Sequence, residues 1–308
     1  YLLQAWKSEE NREQAYRLIK DADLVMVGGG YDVLPYEAIR LQTGKLTFEL
    51  TERQLKRGIL NAFSKTALGY SHMYKTIGHN NVYRLCLSAY TANDMYLLHP
   101  FLKGKCYKFG YFTQVINLNI DKIIGKRKND DHIKIFWSAR LLKLKRPDLP
   151  VLLAQRLRDK GYDFEINMAG DGEQKLSIIR MIKHLKLENH VKLLGHIPNE
   201  LVLEIMKEHD IFIFTSNKRE GWGAVLNEAM SCGCCCIASD LIGATNYLIK
   251  DGSNGIIFKT GDINDLTKKI ISIIEAPISR EKIQRQAYRT MIEIWNPKVA
   301  AINLCRLA

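Results

Sequence analysis

The chain has 308 residues, room for two domains of ordinary size, and its 46% hydrophobic and 25% charged residues are those of a globular protein rather than a disordered or fibrous one. No apolar run reaches the roughly 18 residues that a membrane span requires. The net charge of +12 suits an anionic partner, and of the three kinds (nucleic acid, lipid surface, phosphate-bearing substrate) nucleic acid is set aside, because no helix-turn-helix, zinc-finger or RNA-binding aromatic signature is present.

Taken in order, the chain alternates helices and strands. A helix through Tyr16, Leu18 and Ile19 ends before a buried strand, Leu24–Val27, which runs into Gly28-Gly29-Gly30. That glycine run is a weak nucleotide signal, since the full dinucleotide fingerprint and its downstream acid are missing. Asp21-Ala22-Asp23 matches an Asp-x-Asp metal motif, but its place at a helix-to-strand junction reads as coincidence. Strands are expected at 46–50 and 83–88, with a helix over 52–78 that sets Leu55, Ile59, Leu60 and Phe63 on one face. Residues 121–160 hold twelve Lys/Arg against five Asp/Glu, and the run from Lys122 to Lys128 reads as a solvated linker.

Beyond it come a strand at 133–137, a helix at 148–160, a strand at 163–168 and a helix at 173–186. A strand at 191–194, a helix at 199–208 and a strand at 211–214 follow. A helix from about Ala224 stops at Gly233, a strand covers 234–238, and helices begin after Gly243 and Asp262. Such alternation predicts parallel, doubly wound sheets, which bind ligands at the carboxyl ends of their strands. Four of the seven cysteines fall in Cys232–Cys236; at the start of a buried strand and without a second Cys/His pair at zinc spacing, they read as small core hydrophobes in a reducing compartment.

The segment 219–236 carries the most specific chemistry. Glu220 precedes a tight turn, Gly221-Trp222-Gly223, and Glu228 lies eight positions on, in the helix that follows. Carboxylates accept strong hydrogen bonds from sugar hydroxyls, and helix-start amides at Ala224, Val225 and Leu226 favour a phosphate. This segment resembles the Glu-x7-Glu motif of retaining GT-B-fold glycosyltransferases, glycosyltransferase family 4 in particular. Ser138-Ala139-Arg140-Leu141 with Lys145 resembles the family's Gly-Arg-Leu-x3-Lys segment, with Ser138-Ala139 in place of its glycine-bearing pair. Ala169-Gly170-Asp171-Gly172 resembles its Gly-Asp-Gly loop, and Gly195-His196-Ile197 the loop that meets the nucleobase.

The resemblance implies two Rossmann-like parallel-sheet domains: an acceptor-side domain at 1–120, a nucleotide-sugar domain at 121–290, and a terminal helix at 291–308 packing back on the first. It covers 133–300 well and is loose before that. A family member normally begins with a strand, a glycine loop and a helix, so the opening Tyr1-Leu-Leu-Gln4 predicts that roughly 50 residues of the first domain are missing. The implied activity is retaining transfer of a hexosyl group from a nucleotide-sugar donor to a polysaccharide- or lipid-linked glycan acceptor, without a metal or other cofactor. Arg140 and Lys145 are implied to grip the donor diphosphate, Glu220 the sugar and Glu228 the ribose. Gly170, Gly172, His196, Ile197, Gly221, Trp222, Gly223, Ala224, Val225 and Leu226 are implied to line the donor pocket.

Trp222 is read either as a lid or as core. On the acceptor side Glu49 or Glu52 either faces the cleft or lies at the surface, and the polar segment Ser88–Asp94 is a second candidate lining. The basic excess predicts loose attachment to an anionic membrane on its cytoplasmic face, through Lys122–Lys128 or through Lys103, Lys105 and Lys108. Two other readings stay open: a phosphorylase or epimerase of the same fold, and a catalytically silent sugar-nucleotide-binding or partner subunit.

Overall fold

A computed structural model describes residues 7–128 and 132–307, apart from the side chain of Lys128. The Tyr1–Gln4 segment lies outside the described residues. The chain divides into two compact units. The first runs through Gly110 and takes in the residues from Leu304 onward; the second is Tyr111–Asn303.

The first unit contains α1 (Glu9–Asp21), β1 (Leu24–Gly28), α2 (Leu34–Gln42), β2 (Leu46–Thr51), α3 (Lys65–Thr76), β3 (Val82–Cys86), α4 (Thr91–Leu98) and β4 (Cys106–Lys108). Its sheet is parallel throughout, in the order β1-β2-β3-β4. Ser8 caps α1 by accepting from the amide of Asn11 at 3.1 Å. At the α1–β1 junction Lys45 donates to the carbonyl of Asp21, and Arg40 to those of Ala22 and Asp23.

The helix expected over 52–78 does not form as one piece. Gly58 takes a left-handed φ of +105°, a 3₁₀ turn covers Ile59–Phe63, and α3 starts afresh behind Ser64, whose hydroxyl accepts from the amide of Ala67. Ile59, Leu60 and Phe63, expected to line one helix face, are exposed at 59%, 80% and 72%.

Glu49 is neither at a cleft nor at the surface. It is buried in β2 and paired with the equally buried Arg84 of β3, while Tyr74 donates its hydroxyl to both Glu37 and Glu49. Burial drives the Glu37 and Glu49 carboxyls up. Ser88–Asp94 is a helix start rather than a strand end: Thr91 opens α4, and buried Asp94 accepts from Arg53 and from the amide of Leu55.

The second unit contains α5 (Ile120–Lys128), β5 (Ile133–Ser138), α6 (Asp148–Asp159), β6 (Phe164–Ala169), α7 (Lys175–His184), β7 (Val191–Gly195), α8 (Asn199–Glu208), β8 (Ile211–Phe214), α9 (Val225–Ser231), β9 (Cys235–Ser239), α10 (Thr245–Leu248), β10 (Ile256–Phe258), α11 (Ile263–Ile274) and α12 (Pro277–Arg289). A π turn, Thr290–Ile294, leads to α13 (Pro297–Leu307). The sheet is parallel, in the order β10-β9-β8-β5-β6-β7.

Residues on one face of this sheet, Ile135, Trp137, Ile166, Ile211 and Ile237 among them, join one core cluster; Phe136, Phe212, Phe214 and Cys236 join the other. A sheet covered on both faces reads as continuous apolar runs, as 211–214 and 235–238 do. All four thiols of the 232–236 stretch are buried and reduced, and burial pushes those of Cys232 and Cys235 up to about 12.

The basic run from Lys122 is not a solvated linker but the helix α5, and Arg127 is buried at 7% exposure. Its guanidinium donates to four carbonyls: Met206 (3.0 Å) and Lys207 (3.0 Å) in the last turn of α8, and Cys232 (3.0 Å) and Gly233 (2.7 Å) just past α9. One cation thus bonds C-terminal carbonyls of two helices, of which that of Met206 also accepts from the His209 amide, at a place where the helix dipoles favour positive charge. Arg127→Ala strands those carbonyls in the interior. It should destabilise the chain by about 3 kcal/mol or more, with Arg127→Lys recovering only part, as read from urea unfolding midpoints.

Candidate functional site

The carboxyl ends of β5, β6, β7 and β8 gather the loops that the sequence singled out. Three of these loops are laced to one another by backbone. Ala139 N–H donates to Ala169 O (3.1 Å), Leu141 N–H to Asp171 O (2.9 Å), Gln174 N–H to Leu141 O (2.9 Å) and Gly170 N–H to Gly195 O (2.7 Å). The glycines of the Gly-Asp-Gly loop are needed for this approach. Gly170 has φ +137°, and a Cβ there would lie 1.9 Å from the carbonyl oxygen of Ala139; at Gly172, φ +153°, it would lie 2.7 Å from that of Leu141. The nearest neighbours of both are therefore the backbone of the loop that carries Arg140. The Arg140 side chain is exposed and has no ion pair or hydrogen bond among the described residues, while its carbonyl accepts from the amide of Leu142 at 2.7 Å.

Lys145 and Glu220, 75 residues apart, meet directly as an ion pair with side chains 15% and 11% exposed. Two features bring them together. The first is the adjacency of β5 and β8 in the sheet. The second is a buried hydroxyl that sequence reasoning passed over: Thr215 donates to the carbonyl of Lys145 (2.8 Å) and accepts from the indole N–H of Trp137 (2.9 Å). The amide of Asn217 then donates to Leu144 O (2.9 Å), and the amide of Glu220 to Asn217 O (3.0 Å), which closes the turn before the carboxylate. A Thr at the end of an apolar strand was the one available signal for this role.

The turn after Glu220 is tight for a steric reason. Gly223 has φ +88°, and a Cβ there would lie 2.3 Å from the Phe214 ring. Gly221 is half-buried at its start, Ala224 caps α9 and Val225 is its first residue. Leu226 does not offer its amide as expected: the N–H donates to Gly223 O at 3.0 Å, and its side chain is buried. Trp222 is core, not a lid, at 1% exposure.

Glu228 is half-buried and bonded to Asn199 at the start of α8, and burial pushes its carboxyl up. His196 is exposed, while Ile197 packs partly against the core. Asp171 is exposed and its carboxyl is held down, chiefly by its bond to Lys175. Lys145 and Glu220 thus meet just before the turn 221–225, and Arg140 stands exposed on the loop that carries Lys145: an unpaired guanidinium, a cation already facing a carboxylate, and the backbone of a tight turn. Such a set can hold an anionic group and hydroxyls at once.

The family model "Glycosyl transferases group 1" matches residues 119–290. The N-acetyl-alpha-D-glucosaminyl L-malate synthase of Bacillus anthracis is 31% identical over 113 residues, 37% of this chain and 29% of that protein. The poly(ribitol-phosphate) alpha-N-acetylglucosaminyltransferase of Staphylococcus aureus is 26% identical over 207 residues, 66% of this chain and 39% of that protein. The chain therefore spans between a quarter and two fifths of the length of these curated relatives. Among solved structures, Anabaena HepE in complex with UDP and glucose superposes with a TM-score of 0.71 at 17% identity, covering 97% of this chain and 81% of that one. Likeness at that identity establishes the fold alone: paired parallel α/β sheets of the GT-B class.

The lacing of the loops is open to a direct check. Gly170→Ala forces a Cβ into the Ala139 carbonyl on a left-handed backbone. Unfolding midpoints in urea should fall by an amount corresponding to about 2–4 kcal/mol, whereas Gly161→Ala, where open space surrounds a left-handed glycine, should cost about 1 kcal/mol.

Proposed function

The chain belongs to the glycosyl transferases group 1 family, and from that premise we propose that it moves a hexosyl group from a nucleotide-sugar donor to a polysaccharide- or lipid-linked acceptor, with retention at the anomeric carbon and without a metal ion. The observation that carries the reading is the Lys145–Glu220 pair set beside the free guanidinium of Arg140 at the ends of adjacent strands. As the bond between sugar and diphosphate breaks, negative charge builds on the phosphate oxygens. Preorganised cations are the direct stabilisers of such charge. Arg140 is free to take one phosphate, and Lys145 exchanges its carboxylate for the other.

Glu220, released from Lys145, then accepts from hydroxyls of the transferred sugar, and Glu228 from those of the ribose. Two cations on one loop make a divalent ion unnecessary for charge balance. The HepE complex with UDP and glucose supports the donor class, and the S. aureus relative, named for transfer to poly(ribitol phosphate), supports a cell-envelope glycan as acceptor. The silent-subunit reading is disfavoured because Arg140, Lys145 and Glu220 all stand in place. Glu220→Gln should lower turnover of the true donor by about 100-fold or more while wild-type activity persists in excess EDTA. Near wild-type turnover in the variant, or a strict divalent requirement, sinks the respective part of the proposal.

Attachment to an anionic membrane belongs to the same reading, with a change of candidates. No described helix is long and apolar enough to cross a membrane. Lys105 is tied to the carbonyls of His79 and Asn80, and Arg127 is buried, which leaves Lys103, Lys108, Lys122 and Lys126 exposed among the described side chains of the original set. The 3₁₀ segment Ile59–Phe63 is the better candidate: exposed Ile59, Leu60 and Phe63 stand between exposed Arg57 and Lys65. Apolar side chains flanked by cations match an anionic lipid interface. Cosedimentation at low salt should favour anionic over neutral vesicles, and Leu60→Glu with Phe63→Glu should abolish the difference. Equal binding to both vesicle types removes the membrane from the reading.

A further inference from the structure

Trp222 sits two residues after Glu220, inside the turn that places the carboxylate, and it is buried. Its indole stacks on that of Trp295 (centroids 5.5 Å apart, planes at 16°) and meets the ring of Tyr111 edge-on at 6.2 Å. Trp295 stacks in turn on Phe112 at 4.9 Å. Aromatic packing of this kind would serve any core. The hydrogen bonds are more particular.

The indole N–H of Trp222 donates to Oδ1 of Asn227 at 2.9 Å, and Nδ2 of Asn227 donates to the carbonyl of Tyr111 at 2.8 Å. The indole N–H of Trp295 donates to that same carbonyl at 3.0 Å. The orientation of the amide is fixed by chemistry: an indole only donates and a carbonyl only accepts. Asn227 has no exposed surface, so the position admits an amide only while both of its ends are satisfied. One carbonyl therefore receives two donors, and one amide bridges that carbonyl to the catalytic turn. Tyr111 is the first residue of the second unit, and Trp295 stands near the other end of it.

We propose that Trp222, Asn227 and Trp295 are positioning residues, a clamp that fixes the Glu220 turn relative to the Tyr111 carbonyl and so sets the reach of the Glu220 carboxylate toward Lys145. A clamp of this kind works in both directions. A ligand that orders the turn must also order Tyr111 and its neighbours, because coupling between two places is reciprocal. A core that is only packed has no such requirement: its apolar contacts tolerate small shifts in any direction.

The inference rests on the nucleotide-sugar reading, since UDP is the probe. Hydrogen exchange read by mass spectrometry on the full chain, with and without saturating UDP, tests it. In the wild type, UDP should slow exchange at 220–226 and, through the clamp, at 111–118, by about tenfold in each, the scale of one added hydrogen bond. Asn227→Asp keeps the acceptor for Trp222 and loses the donor to Tyr111. Trp295→Phe keeps the ring stack and loses the other donor.

Both variants should bind UDP within about threefold of wild type and keep the protection at 220–226, because neither residue is proposed to touch the nucleotide; Asn227→Asp should lose the protection at 111–118, and Trp295→Phe, which keeps the Asn227 bridge, should reduce it by at least about threefold. If Asn227→Asp does not fold, Trp295→Phe carries the test alone. Protection confined to 220–226 in the wild type overturns the clamp, as does transmission in the variants equal to wild type. Calorimetry that shows no UDP binding to the wild type at all fails the nucleotide reading instead, and so separates the two failures.

Discussion

The pairing of β5 with β8 organises the candidate site. From β5 the chain runs to β6 and β7 on one side, crosses back to β8 on the other, and from there runs on to β9 and β10. Loops that follow β5 and β8 therefore lead to opposite sides, and sheets of this kind bind ligands outside the carboxyl ends of their strands at such a point. Lys145 follows β5 and Glu220 follows β8, and the two meet. Neither needs a long side-chain reach or a special fold of its own; the strand order does the work of bringing together residues far apart in sequence. The apolar strands 211–214 and 235–238 hold that order because a sheet buried on both faces leaves no polar alternative for them.

The loops around the Lys145–Glu220 pair are then fixed by groups with little freedom. Thr215 spends its hydroxyl on the Lys145 carbonyl and receives the Trp137 indole, so a strand core, a strand end and a loop share one oxygen. Gly170 and Gly172 let two backbones touch where any Cβ would keep them apart. Arg127 does at the far side of the unit what caps do elsewhere, closing two helix ends with one cation. In each case a buried polar group is matched, and the match defines a position as well as an energy.

Much of the second unit was legible because its strands are short, apolar and separated by amphipathic helices. Lys145 and Glu220, singled out from separate loops, meet as an ion pair, while Arg140 stands exposed on the Lys145 loop with no ion pair to either. The failures have physical causes. The 52–78 helix was read from periodicity alone, which Gly58 and Ser64 overrule by starting a new helix. Arg127 was read as solvated because its neighbours are lysines; sequence does not say which cation of a basic run turns inward toward helix ends. Glu49 was read as a surface or cleft acid because its partner, Arg84, lies on the next strand, at a register the chain does not advertise. The Leu226 amide was counted as free from the general rule for helix starts, whereas the local turn closes on it. Trp222 could not be assigned without seeing Trp295 beneath it.

The cysteines in β9 and just before it have a practical meaning. Cys232, Cys234, Cys235 and Cys236 are sealed from solvent, with their thiols held in the unreactive form, while Cys305 in α13 is open. A thiol reagent reaches the sheet only when the sheet comes apart. The chain thus carries a built-in gauge of its own opening: modification at 305 marks the folded molecule, and modification at 232–236 counts the excursions in which β9 and the turn before it meet water.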